Sequence, residues 1–274
     1  MRLFFLLTLF STSICFAAEP VRLIYDTDIG NDIDDALALS LIHELADRGE
    51  VELLGVGISK GNLWAAVYTD VINTFYGRPD IPIGRVENGM APDAHNFIRP
   101  VSERTVNGQW VYPRDVTPET KLPTATKMYR KILSKQSDAS VVISTVGFLT
   151  NLVDLLESKP DEYSDLSGVE LVRKKVRLCT AMVGAFSPVR KPEYNAYVDA
   201  PATRTFFAKW PTEIWASGYE IGLSILYPAT SIEQDFAYVV DHPVAEAYRL
   251  YIEMPYDRPT WDLNAVLQAV RPNR

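Results

Sequence analysis

The chain has 274 residues, of which 47% are hydrophobic and 23% charged, and its formal net charge is −8. This length and composition allow one large hydrophobic core, and they exclude both an intrinsically disordered chain and an integral membrane protein. The acidic surplus argues against electrostatic binding to nucleic acid or to an anionic membrane, which requires clustered Lys and Arg side chains.

The first 18 residues have the pattern of a secretory signal peptide. Arg2 precedes the apolar stretch 3–10, and the small pair Ala17-Ala18 follows it. The apolar stretch is too short to span a bilayer. A buried first strand is the alternative. We therefore predict a periplasmic or extracellular protein whose mature part, residues 19–274, is a single domain.

Strands and helices alternate along the first third of the mature chain. Leu37, Leu41 and Leu45 recur at helical spacing, and Gly49 ends that helix. Apolar runs predict strands at 21–25, 51–58 and 81–83, and helical spacing predicts a second helix at 63–75. Residues 86–121 show neither period and predict a long loop.

The alternation resumes after this loop. The predicted strands are 141–145, 176–183 and 213–216, and the predicted helices are 150–157, 200–210, 242–253 and 262–270. This order predicts an α/β fold, with right-handed crossovers and a mainly parallel sheet that carries helices on both faces. Ligands bind such sheets at the carboxyl ends of the strands.

An acidic run follows the first predicted strand directly. Its five aspartates are Asp26, Asp28, Asp32, Asp34 and Asp35, and no Lys or Arg lies between Arg22 and Arg48. Carboxylates this close repel one another unless a cation intervenes. A helix cap at Asp32 or Asp34 would account for only one or two of the five. Oxygen ligands without nearby His or Cys indicate a hard cation, Ca²⁺ or Mg²⁺.

The run also contains the Asp-x-Asp pattern of haloacid dehalogenase-like phosphatases, in which the first Asp is the phosphoryl nucleophile. That pattern requires Thr or Val two places after the second Asp, where this sequence has Gly30. It also gives no role to Asp34 and Asp35. We keep such a phosphatase as the less favoured alternative.

Several segments together resemble the nucleoside hydrolases, also called inosine–uridine-preferring nucleoside N-ribohydrolases. After the acidic run, the segments in the family's order are Lys60-Gly61-Asn62, Gly147 to Leu152, Met182-Val183-Gly184, Glu193-Tyr194-Asn195, Asp199-Ala200 and Trp261-Asp262. The resemblance covers most of the mature chain. It implies a nucleoside hydrolase-like fold and hydrolysis of ribonucleosides to ribose and free base, a reaction of purine and pyrimidine salvage.

The resemblance also implies roles for individual residues. Ca²⁺ would be bound by Asp28, Asp35, Asp262 and the backbone carbonyl of Val146, and a Ca²⁺-bound water would be the nucleophile, with Asp28 as its general base. The ribose would be bound by Asp34, Asn62, Glu193 and Asn195. For Asn62 and Asn195, a turn role is the alternative.

The sequence departs from the family pattern at Trp261, where many members have His before the last metal-binding Asp. Indole donates a hydrogen bond but cannot transfer a proton. Trp261 is similar to the residue of a Trp-Asp subgroup and is expected to stack on the base. Four residues could replace the missing acid: Tyr251, Tyr256, Asp257 and His95.

Two further questions stay open in the sequence. Ser187 stands where many members have an Asn that binds the 5′ side of the ribose, which leaves the 5′ specificity open. A non-catalytic Ca²⁺- or ribose-binding protein is the alternative from another functional class. The resemblance allows a homodimer or homotetramer, with a small nucleoside as the substrate.

Overall fold

The computed structural model describes residues 19–90, 97–188 and 192–273. The predicted signal peptide and His95 lie outside these ranges. The strands are β1 (Val21–Thr27), β2 (Val51–Ile58), β3 (Ile83–Arg85), β4 (Thr105–Val106), β5 (Gln109–Trp110), β6 (Val141–Thr145), β7 (Val176–Met182), β8 (Glu213–Ser217), β9 (Leu226–Tyr227) and β10 (Arg258–Pro259).

The helices alternate with these strands. They are α1 (Asp34–Asp47), α2 (Leu63–Phe75), α3 (Ile98–Glu103), α4 (Ala125–Lys135), α5 (Thr150–Glu157), α6 (Gly168–Lys175), α7 (Tyr194–Val198), α8 (Ala200–Lys209), α9 (Tyr219–Ser224), α10 (Ala229–Gln234), α11 (Pro243–Tyr251) and α12 (Trp261–Val270), and a 3-10 helix covers Asp235–Tyr238. Across the described ranges, no helix combines the length and apolarity needed to cross a membrane.

Six strands form a central sheet in the order β3-β2-β1-β6-β7-β8. Every neighbouring pair in this sheet is parallel. Strands β4 and β5 form a small hairpin, and β9 pairs antiparallel with β10. The predicted fold class, a mainly parallel sheet within an α/β fold, is confirmed.

Helices pack on both faces of this sheet because successive strand residues point to opposite faces. In β1, Leu23 and Tyr25 belong to the core shared with α1, α2, α11 and α12, whereas Ile24 belongs to the core shared with α4, α5, α6 and α8. Val142 and Ile143 of β6 divide in the same way. The continuous apolar runs of the central strands therefore serve two cores at once.

The strand order reverses at β1. The chain proceeds from β1 outward to β3 and then returns to β6 on the other side of β1. Such a reversal opens a crevice between the carboxyl ends of the two strands, and ligands of parallel α/β sheets bind there. Asp28 is the first residue after β1, and Val146 is the first residue after β6.

The prediction of one long loop at 86–121 is wrong in part. The segment contains α3 and the β4–β5 hairpin, and Ile98, Val101 and Tyr112 within it are buried. These elements are two to six residues long, so they are too short for either hydrophobic period to be recognised. Helices α4 and α6, which cover the second face of the sheet, were also not predicted.

The buried His43 of α1 should make the stability pH-dependent. Its Nε2 lies 2.9 Å from Asn73 Oδ1, and burial lowers its pKa to about 4. The unfolded chain protonates this histidine near pH 6.5, so folding stability is lost as the pH falls from about 6.5 to 4, by up to roughly 3 kcal/mol. His43→Gln removes the titration and keeps an amide beside Asn73.

Urea unfolding at pH 7 and pH 4.5 checks this expectation. The loss of unfolding free energy between the two pH values should be smaller in His43→Gln than in the wild type by roughly 2 kcal/mol. Buried carboxylates titrate identically in both proteins, so the difference isolates His43. Equal losses in the two proteins would contradict the assignment.

Candidate active site

A cavity of about 310 Å³ lies at the carboxyl ends of β1, β6 and β7. Its lining includes every residue predicted for the site except Asn62. The crevice at the strand-order reversal is therefore where the structure brings the predicted residues together, from positions as far apart in sequence as Asp28 and Asp262.

Three carboxylates form the centre of the cavity wall. Asp34 and Asp35 begin α1, Asp262 lies in the first turn of α12, and ligand oxygens of all three lie within 4.8 Å of one another. All three side chains are buried. The backbone N–H of Asp262 donates to Asp34 Oδ2 at 3.2 Å. Two helix N-termini, each with a positive dipole end, therefore face this acidic trio.

Burial raises the pKa of all three carboxyls well above the ordinary value for Asp, and the neighbouring acids raise it further. Three carboxylates this close cannot all ionise in a buried site without a compensating cation. Oxygen-only donors suit a hard divalent cation, so the trio fits such an ion. Asp34, which the sequence assigned to the sugar, is part of this trio.

Asp28 lines the same cavity but lies outside the group of three. Asn31 Nδ2 donates to Asp28 Oδ2, and Lys60 Nζ donates in turn to Asn31 Oδ1. Burial raises the pKa of Asp28 to about 6, and the positive charge of Lys60 opposes the rise. The ion-binding role of Asp28 and Val146 stays a prediction.

Gly147 permits the close approach of β1 and β6 at this point. A Cβ atom at Gly147 would lie 2.4 Å from Ser59 Oγ and 2.5 Å from the backbone N of Asp28. Ser59 Oγ also accepts a hydrogen bond of 3.1 Å from the backbone N–H of Phe148. The glycine is therefore required for the backbone position of Asp28.

Asp26 supports the site from inside the core. Its carboxylate accepts hydrogen bonds from Tyr129 Oη at 2.5 Å, Asn151 Nδ2 at 2.8 Å and Thr145 Oγ1 at 3.1 Å. Burial raises its pKa to about 7. Asp26 thus ties the end of β1 to β6, α4 and α5.

Glu193 and Asn195 hold the start of α7 against the ends of β6 and β7, on the other side of the cavity. Glu193 caps α7, because Oε1 accepts from Asn195 N at 2.7 Å and Oε2 accepts from Ala196 N at 3.0 Å. Oε2 also accepts from Gly184 N at 2.9 Å. Asn195 Nδ2 donates to the carbonyls of Val146 at 2.7 Å and Met182 at 3.0 Å. The Val146 carbonyl keeps a second lone pair for another partner.

Asn62 is the predicted site residue that does not line the cavity. Its Oδ1 accepts a 2.8 Å hydrogen bond from Trp64 N and caps α2. This is the turn role considered as its alternative, and a contact with the sugar stays a prediction.

Trp261 belongs to an aromatic and cationic wall. Its Nε1 donates to the carbonyl of Tyr219 at 2.8 Å, and the two rings stack with centroids 5.5 Å apart. The Arg258 guanidinium carbon lies 5.2 Å from the Trp261 ring centroid and 5.1 Å from that of Tyr251. Sequence reasoning missed Arg258 and Tyr219, which carry no motif of their own.

Asp32 binds Arg258. Arg258 Nε donates to Asp32 Oδ1 at 2.9 Å, and Nη2 pairs with Asp32 Oδ2. The side chain of Asp32 does not cap α1, whose N-cap residue is Ile33. Asp32 is therefore neither the helix cap considered for it nor an unpaired carboxylate, because an arginine 226 positions away neutralises its charge.

Comparison with known proteins places the fold. The chain matches the family model described as inosine-uridine preferring nucleoside hydrolase over residues 23–273. No curated protein sequence matches it. A solved plant nucleoside hydrolase is 20% identical, with 92% of this chain and 79% of that chain covered, at a TM-score of 0.66.

Two bacterial structures are similar to the same degree. The inosine-uridine preferring nucleoside hydrolase from Bacillus anthracis is 16% identical, with coverage of 92% and 82% and a TM-score of 0.67. The purine-preferring ribonucleoside hydrolase from Gardnerella vaginalis is 16% identical, with coverage of 92% and 80% and a TM-score of 0.65. At these identities the likeness concerns the fold, which is confirmed as nucleoside hydrolase-like.

Proposed function

Since the chain belongs to the inosine-uridine preferring nucleoside hydrolase family, we propose that it hydrolyses the N-glycosidic bond of ribonucleosides with the help of a bound Ca²⁺. The products are ribose and free base. The Trp261-Asp262 pair supports a place among members with Trp-Asp instead of His-Asp. The pattern of residues 1–18 supports action outside the cytoplasm.

The buried trio of Asp34, Asp35 and Asp262 is the observation that carries this proposal. Cleavage of a glycosidic bond develops positive charge on the sugar ring and its oxygen. Fixed negative charge on buried carboxylates beside the sugar stabilises such a transition state more strongly than solvent does. An acidic cavity of about 310 Å³ has room for a sugar and part of a base.

The same residues would hold the ion. We assign Asp28, Asp35, Asp262 and the carbonyl of Val146 to Ca²⁺, and the oxygen positions of the trio support Asp34 as a further neighbour. A bound Ca²⁺ would polarise a water molecule and the vicinal hydroxyls of a ribose. Glu193 and Asn195, both in the cavity wall, would accept or donate hydrogen bonds to the sugar.

Asp28 is the proposed general base. The positive charges of Lys60 and of a bound Ca²⁺ would favour its ionised form, and Asn31 orients it. It would take one proton from the attacking water as the water oxygen forms a bond to C1′. The electron pair of the C1′–N bond leaves with the base.

The base preference is a separate question. Known structures with nearly equal TM-scores to this chain include an inosine-uridine preferring enzyme and a purine-preferring enzyme. Similarity of fold therefore does not select between purine and pyrimidine substrates, and a panel of nucleosides is required.

Ribose release from inosine, adenosine, uridine and cytidine tests the proposal. We expect turnover of at least one nucleoside with Ca²⁺ present, loss of turnover after EGTA treatment, and recovery when Ca²⁺ is restored. The variant Asp80→Asn removes an exposed charge away from the cavity. It should show the same turnover and the same response to EGTA as the wild type.

Other outcomes point to the alternatives. Binding of ribose without turnover of any nucleoside would favour the non-catalytic binding protein. Release of phosphate from phosphomonoesters would favour the phosphatase. Turnover that survives EGTA would remove Ca²⁺ from the proposal.

A further inference from the structure

Arg258 is a cation fixed in the wall of an otherwise acidic cavity. Its Nε and Nη2 are held by Asp32, and its guanidinium carbon lies 5.1 Å from the ring centroid of Tyr251 and 5.2 Å from that of Trp261. Of the cavity-lining residues in the described ranges, Arg258 alone is cationic. These contacts hold the guanidinium in place before substrate binds. Its charge can therefore act on the substrate without a rearrangement of the side chain.

The third nitrogen of this guanidinium is uncommitted. Within residues 19–90, 97–188 and 192–273, the hydrogen bonds of Arg258 involve Nε and Nη2, and Nη1 makes none. Arginine carries two further N–H donors on Nη1. An arginine held on one edge by a carboxylate therefore has its other edge available to a ligand in the cavity.

Among the described residues, those considered as leaving-group acids are poorly suited to that role. The pKa values of Tyr251 and Tyr256 lie well above their ordinary value, chiefly because of burial. Asp257 Oδ1 accepts a 2.8 Å hydrogen bond from Ala229 N. Trp261 cannot transfer a proton, and its indole N–H already donates a hydrogen bond to the carbonyl of Tyr219. Tyr251, Tyr256 and Asp257 are also not among the residues that line the cavity, so none of them is placed to give the base a proton.

We infer that Arg258 stabilises the departing base, by donating hydrogen bonds from Nη1 to its oxygen or ring nitrogen. The inference rests on the proposed hydrolysis of nucleosides. As the C1′–N bond breaks, its electron pair moves onto the base, and the fixed guanidinium offsets the new negative charge. Water supplies the oxygen at C1′, Asp28 takes one proton, and the base anion takes a proton from solvent after release.

Trp261 and Asp32 then act as positioning residues. The Trp261 ring centroid lies 5.2 Å from the guanidinium carbon, and Asp32 holds Nε and Nη2. Because arginine stays protonated throughout the physiological range, this stabilisation needs no titrating acid. It would replace the function of the missing His by charge instead of by proton transfer.

Two substrates with different leaving groups test this inference. Uridine or inosine releases a basic anion that needs stabilisation, whereas p-nitrophenyl β-D-ribofuranoside releases a phenolate that is stable without help. Arg258→Met should lower kcat for the nucleoside by about 100-fold. The p-nitrophenyl riboside should lose about threefold or less, because the sugar side of the site is unchanged.

Two further variants guard against a merely structural effect. Arg258→Lys keeps the positive charge but lacks the planar guanidinium with its several N–H donors. Its kcat for the nucleoside should therefore lie between those of the wild type and Arg258→Met. Asp32→Asn should give a smaller loss with the same dependence on the leaving group. Thermal melting of each variant reports folding separately.

The possible failures are distinguishable. Equal losses on the two substrates, or no loss on either, would overturn the role of Arg258 and leave the proposed hydrolysis standing. A wild-type protein that cleaves neither substrate would overturn both proposals together.

Discussion

Replacing Asp28 by asparagine is expected to lower kcat for ribose release by roughly 10²- to 10⁴-fold, the range that general-base catalysis contributes. Asparagine has nearly the same shape as aspartate but cannot accept a proton from water. It can still present an oxygen to Asn31 Nδ2, which donates to Asp28 in the wild type. The variant therefore removes the base and keeps the local structure.

Calcium titration by calorimetry separates the two roles proposed for Asp28. A large fall in kcat that persists at saturating Ca²⁺ would identify a base. A parallel loss of affinity would identify it chiefly as a ligand. Asp80→Asn controls for the loss of one negative charge. A kcat of Asp28→Asn within tenfold of the wild type would exclude Asp28 as the base.

The central fold could be predicted from the sequence because its strands are buried on both faces. Strands β2 and β6 and helices α2 and α5 have the predicted limits, since each is a dense apolar run or a helix with a clear start. Helix α4 was missed although Met128, Tyr129, Ile132 and Leu133 recur at helical spacing on its buried side. The segment 218–241 was missed because its elements are short and largely exposed.

The acidic half of the cavity could also be predicted, because Asp28, Asp34 and Asp35 are neighbours in the chain and form a recognisable pattern. The contacts made by the basic partners could not. Lys60 reaches the site from the end of β2, and Arg258 reaches Asp32 across 226 positions. Contacts of this kind depend on how strands and helices are arranged in three dimensions, and no local pattern encodes them.

Calcium is expected to raise the melting temperature of the wild-type protein by roughly 5 to 10 °C when it is present at 100 times its dissociation constant. Binding at that ratio stabilises the folded state by about 2.7 kcal/mol, and 1 kcal/mol corresponds to about 2–4 °C in a protein of this size. Mg²⁺ should give a smaller shift, because it demands stricter octahedral geometry and keeps its water. Melting curves in EGTA, Ca²⁺ and Mg²⁺ measure both effects.

Asp262→Asn should abolish most of this Ca²⁺-dependent shift while leaving the metal-free protein at least as stable as the wild type. The pKa of Asp262 is raised by burial and then by Asp34 and Asp35, so its charge is unfavourable unless a cation is bound. Removing that charge relieves repulsion in EGTA and removes a ligand in Ca²⁺. A merely structural aspartate would lower the melting temperature equally in both conditions. If the melting temperature of Asp262→Asn still rises by the full wild-type amount in Ca²⁺, the ion binds away from the trio. The control Asp80→Asn should show the wild-type rise in melting temperature.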